Sequence, residues 1–219
     1  KIIIHEDYMT PKELRNEKLA ERLIKNLEAR HFEAYYCPTQ NEAKEKVLSL
    51  IPGDHTVGWG GSMTLDALGI KDALREKGQT LFDRDTCKPE ERHAIFKKAL
   101  TAGTFLTGTN AITEDGELVN VDAVGNRVAA LVYGPDSVIV VTSLTKVCKT
   151  LEEATARARN YAAPVNSMRF PSYKTPCKET GICMNCKSPD SICSVVVTTR
   201  LSKPAGRIKI ILIGEELGY

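Results

Sequence analysis

The sequence passes from a strand to a helix through Thr56-Val57-Gly58-Trp59-Gly60-Gly61-Ser62-Met63-Thr64. The first four residues are typical of a short buried strand, the glycines of a tight turn, and the residues from 64 to 77 of a helix. A strand that leads directly into a helix is the repeating unit of α/β folds. We therefore expect the same unit to recur along the chain.

Strands and helices alternate in both directions from this turn. Upstream, Thr10-Pro11-Lys12-Glu13 has the N-cap, the proline and the glutamate of a helix start, and leucines then recur at helical spacing to about residue 30. Further strands are predicted at 32–37, 80–82, 104–107, 117–121, 128–133, 138–141 and 207–213, and further helices at 41–50 (N-cap Asn41), 89–102 and 151–161.

This alternation predicts an α/β fold with an open, largely parallel sheet flanked by helices. The hairpin-like stretch 104–133 predicts antiparallel strands as well, so we expect the sheet to be mixed. The 219 residues predict a single domain. A helical region at about 1–50 forms an N-terminal extension, and a cysteine-rich segment at about 172–195 forms an appendage.

Composition excludes several classes of protein. Apolar residues make up 42% of the chain and charged residues 26%, which is ordinary for a globular protein and unlike a disordered or fibrous one. The formal charge of +2 is small and evenly interleaved, and only 6% of residues are aromatic, so neither a phosphate-binding stripe nor a base-stacking platform is indicated. We expect no nucleic-acid partner.

The apolar runs also speak against a membrane. None approaches the roughly 18 residues that a spanning helix needs. The opening Lys1-Ile2-Ile3-Ile4 is followed at once by polar and charged residues, unlike the apolar region of a signal peptide. We expect a cytoplasmic protein with no membrane partner.

The glycine-rich turn is the first candidate binding site. Gly60 and Gly61 let the main chain approach a ligand closely, and Ser62 and Thr64 supply hydroxyl donors at the start of a helix. The turn is neither a dinucleotide-binding fingerprint nor a P-loop, which requires a lysine. It predicts a phosphate or carboxylate site, or alternatively a plain strand–helix turn with Ser62 as N-cap.

Polar residues also follow the predicted strands downstream. Asn110 could line a cleft at a strand end, and Glu114 could act there as a base or nucleophile, or be an exposed turn carboxylate. Arg127 could clamp an anionic ligand while Asn126 orients it, or could pair with Asp122 across the loop.

Lys146 follows the strand predicted at 138–141. It could add a second positive charge at the same edge of the sheet. The alternative is an ordinary solvated lysine.

Four of the seven cysteines crowd together in the pattern Cys177-x5-Cys183-x2-Cys186-x6-Cys193. An odd number of cysteines in a long chain speaks against structural disulfides. Four thiolates without a nearby histidine suit a four-iron, four-sulfur cluster or a zinc ion. Free or redox-paired thiols are the third alternative, and the spacing leaves all three open.

With these motifs, the chain resembles the lactate-utilization (LUD) domain family over nearly its whole length. The resemblance rests on the turn 57–64, on 109–113, on Val121-Asp122-Ala123-Val124-Gly125-Asn126-Arg127-Val128-Ala129-Ala130 and on Tyr133-Gly134-Pro135. The four-cysteine segment and the closing Ile213-Gly214-Glu215-Glu216-Leu217-Gly218-Tyr219 resemble a compact branch of that family.

The resemblance implies a bacterial or archaeal cytoplasmic protein whose fold is similar to the sugar-phosphate isomerase and CoA-transferase superfamily, with ligands bound at strand ends. It also implies a link to lactate and organic-acid oxidation, in which companion subunits carry iron–sulfur clusters.

Three hypotheses follow. The first is a redox-associated protein that binds a small anionic metabolite beside an iron–sulfur cluster or a zinc ion. The second is a stand-alone transferase or isomerase for an acyl-CoA or sugar phosphate, with Glu114 as its catalytic carboxylate. The third is a non-catalytic, metal-binding partner subunit of an oxidoreductase complex. The oligomeric state, including a homo-oligomer, is left open.

Overall fold

The computed structural model describes residues 9–219, which form two β-sheets and a series of mostly short helices. The helices are α1 (Pro11–Ala29), α2 (Gln40–Ser49), α3 (Met63–Ala67), α4 (Ile70–Glu76), α5 (Arg92–Ala99), α6 (Asn126–Val132), α7 (Leu151–Arg157), α8 (Ala163–Ser167) and α9 (Pro176–Thr180). The strands are β1 (Glu33–Cys37), β2 (Val57–Trp59), β3 (Leu81–Phe82), β4 (Thr104–Gly108), β5 (Ala111–Thr113), β6 (Leu118–Asp122), β7 (Ser137–Ser143), β8 (Val147–Cys148), β9 (Val195–Thr199) and β10 (Ile208–Ile213). None of these helices is long and apolar enough to cross a membrane.

The main sheet has six strands in the order β1-β10-β7-β4-β2-β3, and every neighbouring pair is parallel. The open, largely parallel sheet predicted from the sequence is therefore confirmed. A parallel sheet is stable only when both of its faces are covered. The central strand β7 is accordingly buried along its whole length.

Alternate residues of the central strands point into two separate cores. Val140 of β7 packs in the cluster that contains Leu27 of α1. The next residue, Val141, packs on the opposite face in the cluster that contains Leu65 of α3. The helices thus cover both faces, as the alternating pattern of the sequence predicts.

The predicted antiparallel strands lie in a second sheet, in the order β8-β5-β6-β9. In this sheet β6 is antiparallel to both β5 and β9, and β5 is parallel to β8. The strand β9 was not predicted, although its sequence, Val195-Val196-Val197-Thr198-Thr199, is rich in β-branched residues.

The strand predicted at 128–133 is wrong, because this segment is the helix α6. Gly125 at φ 84° turns the chain at the helix start, and the carboxylate of Asp122 accepts a hydrogen bond from the main-chain N–H of Val128. A short apolar run has no period that separates a strand from a helix. The turn at Gly125 and the cap by Asp122 make this segment a helix.

The helix predicted at 64–77 is divided into α3 and α4. Gly69 adopts a left-handed conformation, with φ 61°, at the boundary between the two. The capping box predicted at Thr10 and Glu13 is confirmed. The N-cap of α2, however, is Thr39 and not Asn41.

The N-terminal region is part of the main sheet and is not a separate helical extension. Its strand β1 pairs with β10 over five residues, between α1 and α2 in the chain. The first eight residues of the predicted region 1–50 lie outside the described part of the chain. The cysteine-rich segment contains the helix α9 and otherwise lacks regular structure up to β9.

Candidate functional site

A cavity of about 300 Å³ opens where the central parallel strands end. β2 leads into residues 61–64, β4 ends just before Thr109 and Asn110, and the turn after β7 carries Lys146. Because parallel strands end at the same edge of a sheet, these loops meet there. Residues 121–127, from the end of β6 onward, complete this main cavity.

The main cavity brings together eight of the nine residues predicted from the sequence to bind a ligand. They are Gly61, Ser62, Thr64, Asn110, Asp122, Asn126, Arg127 and Lys146. The structure thus places these eight residues around one cavity. That they bind a ligand there stays a prediction.

Gly60 is the ninth, and it lies behind the cavity wall. A Cβ atom at this position would lie 2.7 Å from the Cγ and Cδ atoms of Arg127. Glycine is therefore needed here for the close approach of a side chain rather than of a ligand.

Glu114 lies outside the main cavity, in the turn between β5 and β6. Its carbonyl oxygen accepts a hydrogen bond from Asn26 of α1 (2.7 Å), and its carboxylate is 3.9 Å from Arg22. The structure therefore does not bring the predicted catalytic carboxylate together with the other predicted site residues.

Arg127 lies in the cavity wall with 11% of its side chain exposed, and its guanidinium group is occupied by the protein itself. Nη1 donates to the carbonyl oxygen of Gly108 (3.0 Å) and to Oδ1 of Asn120 (2.6 Å). Nη2 donates to Oδ1 of Asn110 (3.0 Å) and to the carbonyl oxygen of Val121 (2.7 Å). With these four acceptors, Arg127 joins β4 to β6. Most of its N–H donors are therefore already used, and few remain to clamp a ligand.

Asp122 and Asn110 belong to the same network of contacts around Arg127, which we call the frame of the main cavity. The carboxylate of Asp122 lies 3.7 Å from Nε of Arg127 and caps α6. Oδ1 of Asn110 also accepts from the N–H of Val121 (2.9 Å). Of the two interpretations of Arg127 and Asp122 that the sequence leaves open, the structure contains the pairing across the loop.

Ser62 is the N-cap of α3, and its hydroxyl accepts from the N–H of Leu65 (3.4 Å). This helix has only five residues, so the field of a long helix is missing at its start. Thr64 is buried in the cavity wall, against the main chain of Gly218.

Lys146 is the buried cation of the main cavity, with only 3% of its surface exposed. Its Nζ atom donates a long hydrogen bond of 3.4 Å to the carbonyl oxygen of Thr109. Burial, and to a smaller extent the positive charges of Arg157 and Arg127, lower the pKa of Lys146 to about 8. The solvated lysine considered as the alternative is not what the structure contains.

Three arginines line the main cavity that the sequence did not indicate, namely Arg84, Arg92 and Arg169. They come from the loop after β3, the start of α5 and the segment after α8. Arg84 follows the short strand predicted at 80–82 but was not singled out, whereas Arg92 and Arg169 follow no predicted strand and reach the cavity only through the packing of their segments. Burial lowers the pKa of Arg84, whereas Arg92 and Arg169 are exposed at the rim.

Aromatic rings hold two of these arginines in place. The guanidinium of Arg84 lies 4.5 Å from the ring centre of Phe96, and that of Arg169 lies 6.0 Å from the ring centre of Phe170. Phe170 in turn stacks on Tyr173 at 5.0 Å. Such cation–π contacts stabilise each arginine while leaving its N–H groups available at the edge.

The four clustered cysteines line a second cavity, also of about 300 Å³, together with Arg159 and Lys187. Hydroxyl groups contact two of the sulfurs. Oγ of Ser167 and Oγ1 of Thr175 both lie 3.3 Å from Sγ of Cys177, and Oγ of Ser191 lies 3.4 Å from Sγ of Cys193. We call this the cysteine cavity.

The metal-ligating side chains of the cysteine cavity are all thiols. Within residues 9–219, no three histidine, cysteine or carboxylate side chains form a group that could hold a metal ion. The four thiols spread around the cavity instead, with no imidazole or carboxylate among its lining residues. An all-thiol lining suits an iron–sulfur cluster or a zinc ion, and free thiols stay the third alternative.

The two cavities adjoin. Ala163 of α8 and Ile192 of the cysteine-rich segment line both of them. The glycine-rich turn and the cysteines therefore face neighbouring spaces with a shared wall.

Fold and site together define an α/β domain with a cation-lined cavity at the carboxyl ends of a parallel sheet. More particularly, the chain belongs to the LUD domain family, whose model matches residues 20–213. No curated protein matches the chain.

The chain is also similar to proteins of known structure, of which two are described. A DUF162 family protein from Deinococcus radiodurans is 12% identical, covering 90% of this chain and 98% of its own, with a TM-score of 0.53. Ribose 5-phosphate isomerase A from Methanocaldococcus jannaschii is 16% identical over 52% of this chain and 56% of its own, with a TM-score of 0.35. The first supports the shared fold, and the second carries no inference about activity.

Proposed function

We propose that this protein binds a small anionic metabolite, a carboxylate or a phosphate, in the main cavity. The observation that carries the proposal is Lys146, a cation buried in the cavity wall with no carboxylate within 4 Å among the described residues. A buried charge without a partner is costly, and an anionic ligand would remove that cost.

The other charged residues of the main cavity also favour an anionic ligand. Among the described lining residues, Asp122 has the one carboxylate side chain, and Arg127 pairs with it. Arg84 has Asp85 at 3.9 Å, but that carboxylate accepts hydrogen bonds from Lys71 (2.6 Å) and from the indole of Trp59 (2.9 Å). The lining therefore carries more positive than negative charge, and the rim arginines Arg92 and Arg169 add to this excess of positive charge. Such a lining favours a ligand with two negative charges.

Isothermal titration calorimetry with inorganic phosphate, pyruvate and lactate tests this proposal. We expect Arg84→Met to weaken binding of the anion about tenfold or more, since a charged hydrogen bond in a half-buried site is lost. Arg92→Met at the exposed rim should weaken it only about threefold, because solvent screens its charge.

Arg22→Met is the matched control, since Arg22 is exposed on α1 beside Glu114 and does not line the main cavity. It should bind as the unmodified protein does. The proposal is wrong if none of the three anions binds, or if Arg84→Met and Arg22→Met bind equally well.

We propose further that the cysteine cavity holds an iron–sulfur cluster, and that the protein acts in organic-acid redox metabolism. Supporting this are the four thiols around one cavity, the absence of competing ligand types among its lining residues, and membership of the LUD domain family. Arg159 and Lys187 would compensate the negative charge of a cluster bound by thiolates.

Anaerobic reconstitution with iron and sulfide tests the cluster. Iron and acid-labile sulfide should remain bound after desalting, at about four of each per chain, and Cys186→Ser should lose most of both. Cys87→Ser, outside the cysteine cavity, should retain them. Tight binding of zinc in place of iron, or of neither metal, would contradict the proposed cluster.

A further inference from the structure

Two buried lysines of this chain have opposite surroundings. Lys71 is 6% exposed, and its Nζ atom lies 2.6 Å from a carboxylate oxygen of Asp66 and 2.6 Å from one of Asp85. Lys146 is 3% exposed, and its one hydrogen bond to the described chain is the long bond to the carbonyl oxygen of Thr109. Lys71 is thus a compensated ammonium group, and Lys146 is not.

The groups around Lys146 favour its neutral amine form. Arg127 of α6 and Arg157 of α7 are the charged groups that act on it, and both are cations. The carboxylate of Asp122, which also lines the main cavity, is held by Arg127 and by the main chain of α6. An amine buried beside other cations is the arrangement that turns a lysine into a nucleophile.

The position of Lys146 gives this amine access to a bound ligand. It ends the single helical turn Leu144–Lys146 that follows β7, so the carboxyl end of the central strand places it. It lines the main cavity, and the closing segment packs against it, since a Cβ atom at Gly218 would lie 3.1 Å from its Nζ atom. The amine is therefore shielded from bulk water but open to the cavity.

We propose that Lys146 is a nucleophile that forms a Schiff base with the carbonyl carbon of an anionic aldehyde or keto acid bound in the main cavity. The proposal rests on the proposed anion binding and names the class of ligand. The amine nitrogen adds to the carbonyl carbon to give a carbinolamine. The carbinolamine then loses its hydroxyl group and a proton from nitrogen as water, and the imine C=N bond forms. No electrons are gained or lost in this step.

Glyoxylate, an aldehyde that carries a carboxylate, is the probe. Sodium cyanoborohydride reduces the imine to a secondary amine, so that each lysine that reacts carries a carboxymethyl group detectable by peptide mass spectrometry. At neutral pH, a lysine of pKa about 8 has a roughly two-hundredfold larger neutral fraction than an ordinary lysine. We expect Lys146 to be modified at least about tenfold faster than Lys71.

Formaldehyde, an aldehyde without a carboxylate, is the control that tests whether anion binding directs the reaction. The ratio of the modification rates of Lys146 and Lys71 should be smaller with formaldehyde than with glyoxylate. Lys146→Arg keeps the positive charge without the nucleophilic amine, so it should lose this modification, whereas the rate of modification at Lys71 should stay unchanged.

Two failures are distinguishable. If phosphate or glyoxylate binds by calorimetry but Lys146 is modified no faster than Lys71, Lys146 is an anion-binding cation and the Schiff base is wrong. If none of phosphate, pyruvate, lactate and glyoxylate binds, the proposed function is wrong and the Schiff base falls with it.

Discussion

Arg127 is the residue on which the frame of the main cavity depends. It donates to four acceptors on β4, β6 and the loop between β4 and β5, and it pairs with the buried carboxylate of Asp122. Removing one partner of a buried ion pair leaves an uncompensated charge. The structural role of Arg127 is therefore larger than its predicted role toward a ligand.

We expect Arg127→Met to lower the free energy of unfolding by about 3–5 kcal/mol, measured by urea denaturation. Arg127→Lys keeps the charge but cannot reproduce the planar fork, so it should restore only part of the loss. Arg22→Met on the surface of α1 should cost less than about 1 kcal/mol. Equal effects for Arg127→Met and Arg22→Met would show that the frame contributes nothing.

Lys146 makes stability depend on pH in a defined window. Its pKa is about 8 in the folded chain, against about 10.4 in an unfolded one. Between these values the unfolded chain binds more protons than the folded chain, so stability rises with pH. Below pH 8 both states carry the proton, and the full cost of burying the charge remains.

Lys146→Met removes this cost, and it should therefore be more stable than the unmodified protein at pH 7. The difference in unfolding free energy between the two should shrink by about 3 kcal/mol as the pH rises from 7 to above 10. Urea denaturation of both proteins across this range measures it. A difference that stays constant with pH would mean that Lys146 is not a buried, uncompensated cation.

At the scale of elements, Gly69 determines that α3 and α4 are two helices. Its φ of 61° lies in the left-handed region, and a Cβ atom there would contact only Lys44, at 3.5 Å. A substitution is therefore opposed by backbone strain rather than by lack of space.

We expect Gly69→Ala to lower the free energy of unfolding by about 1–2 kcal/mol in urea denaturation. Gly69→Asn should cost clearly less, because asparagine tolerates this conformation better than alanine does. The same cost for both would show that crowding, and not the backbone angle, is responsible.

The elements also show why the sequence predicts some of the structure and not the rest. The residues of the main cavity that were predicted follow strands or the turn before a helix, where polar residues stand out against apolar runs. In contrast, Arg92 and Arg169 lie in segments that only tertiary packing brings to the cavity. The prediction of a strand was wrong for the run Val128-Ala129-Ala130-Leu131-Val132. In an apolar run this short, the spacing of the residues does not distinguish a helix from a strand.

On the scale of the whole molecule, the shared wall joins the two cavities. Ile192 lies within the cysteine-rich segment, one residue before Cys193, and is 8% exposed. It lines the main cavity as well as the cysteine cavity. A cluster that draws the four thiols together would therefore move a side chain that also lines the main cavity.

We expect the affinity for inorganic phosphate to differ about fivefold or more between the metal-free and the reconstituted protein, since coupled sites commonly interact by this amount. Ile192→Ala should reduce that difference while both sites still bind, because it removes the shared side chain. Leu201→Ala, at an exposed leucine outside both cavities, is the matched control and should leave the difference unchanged. Calorimetry on each protein with and without the cluster measures it, and equal affinities in the unmodified protein would mean that the cavities act independently.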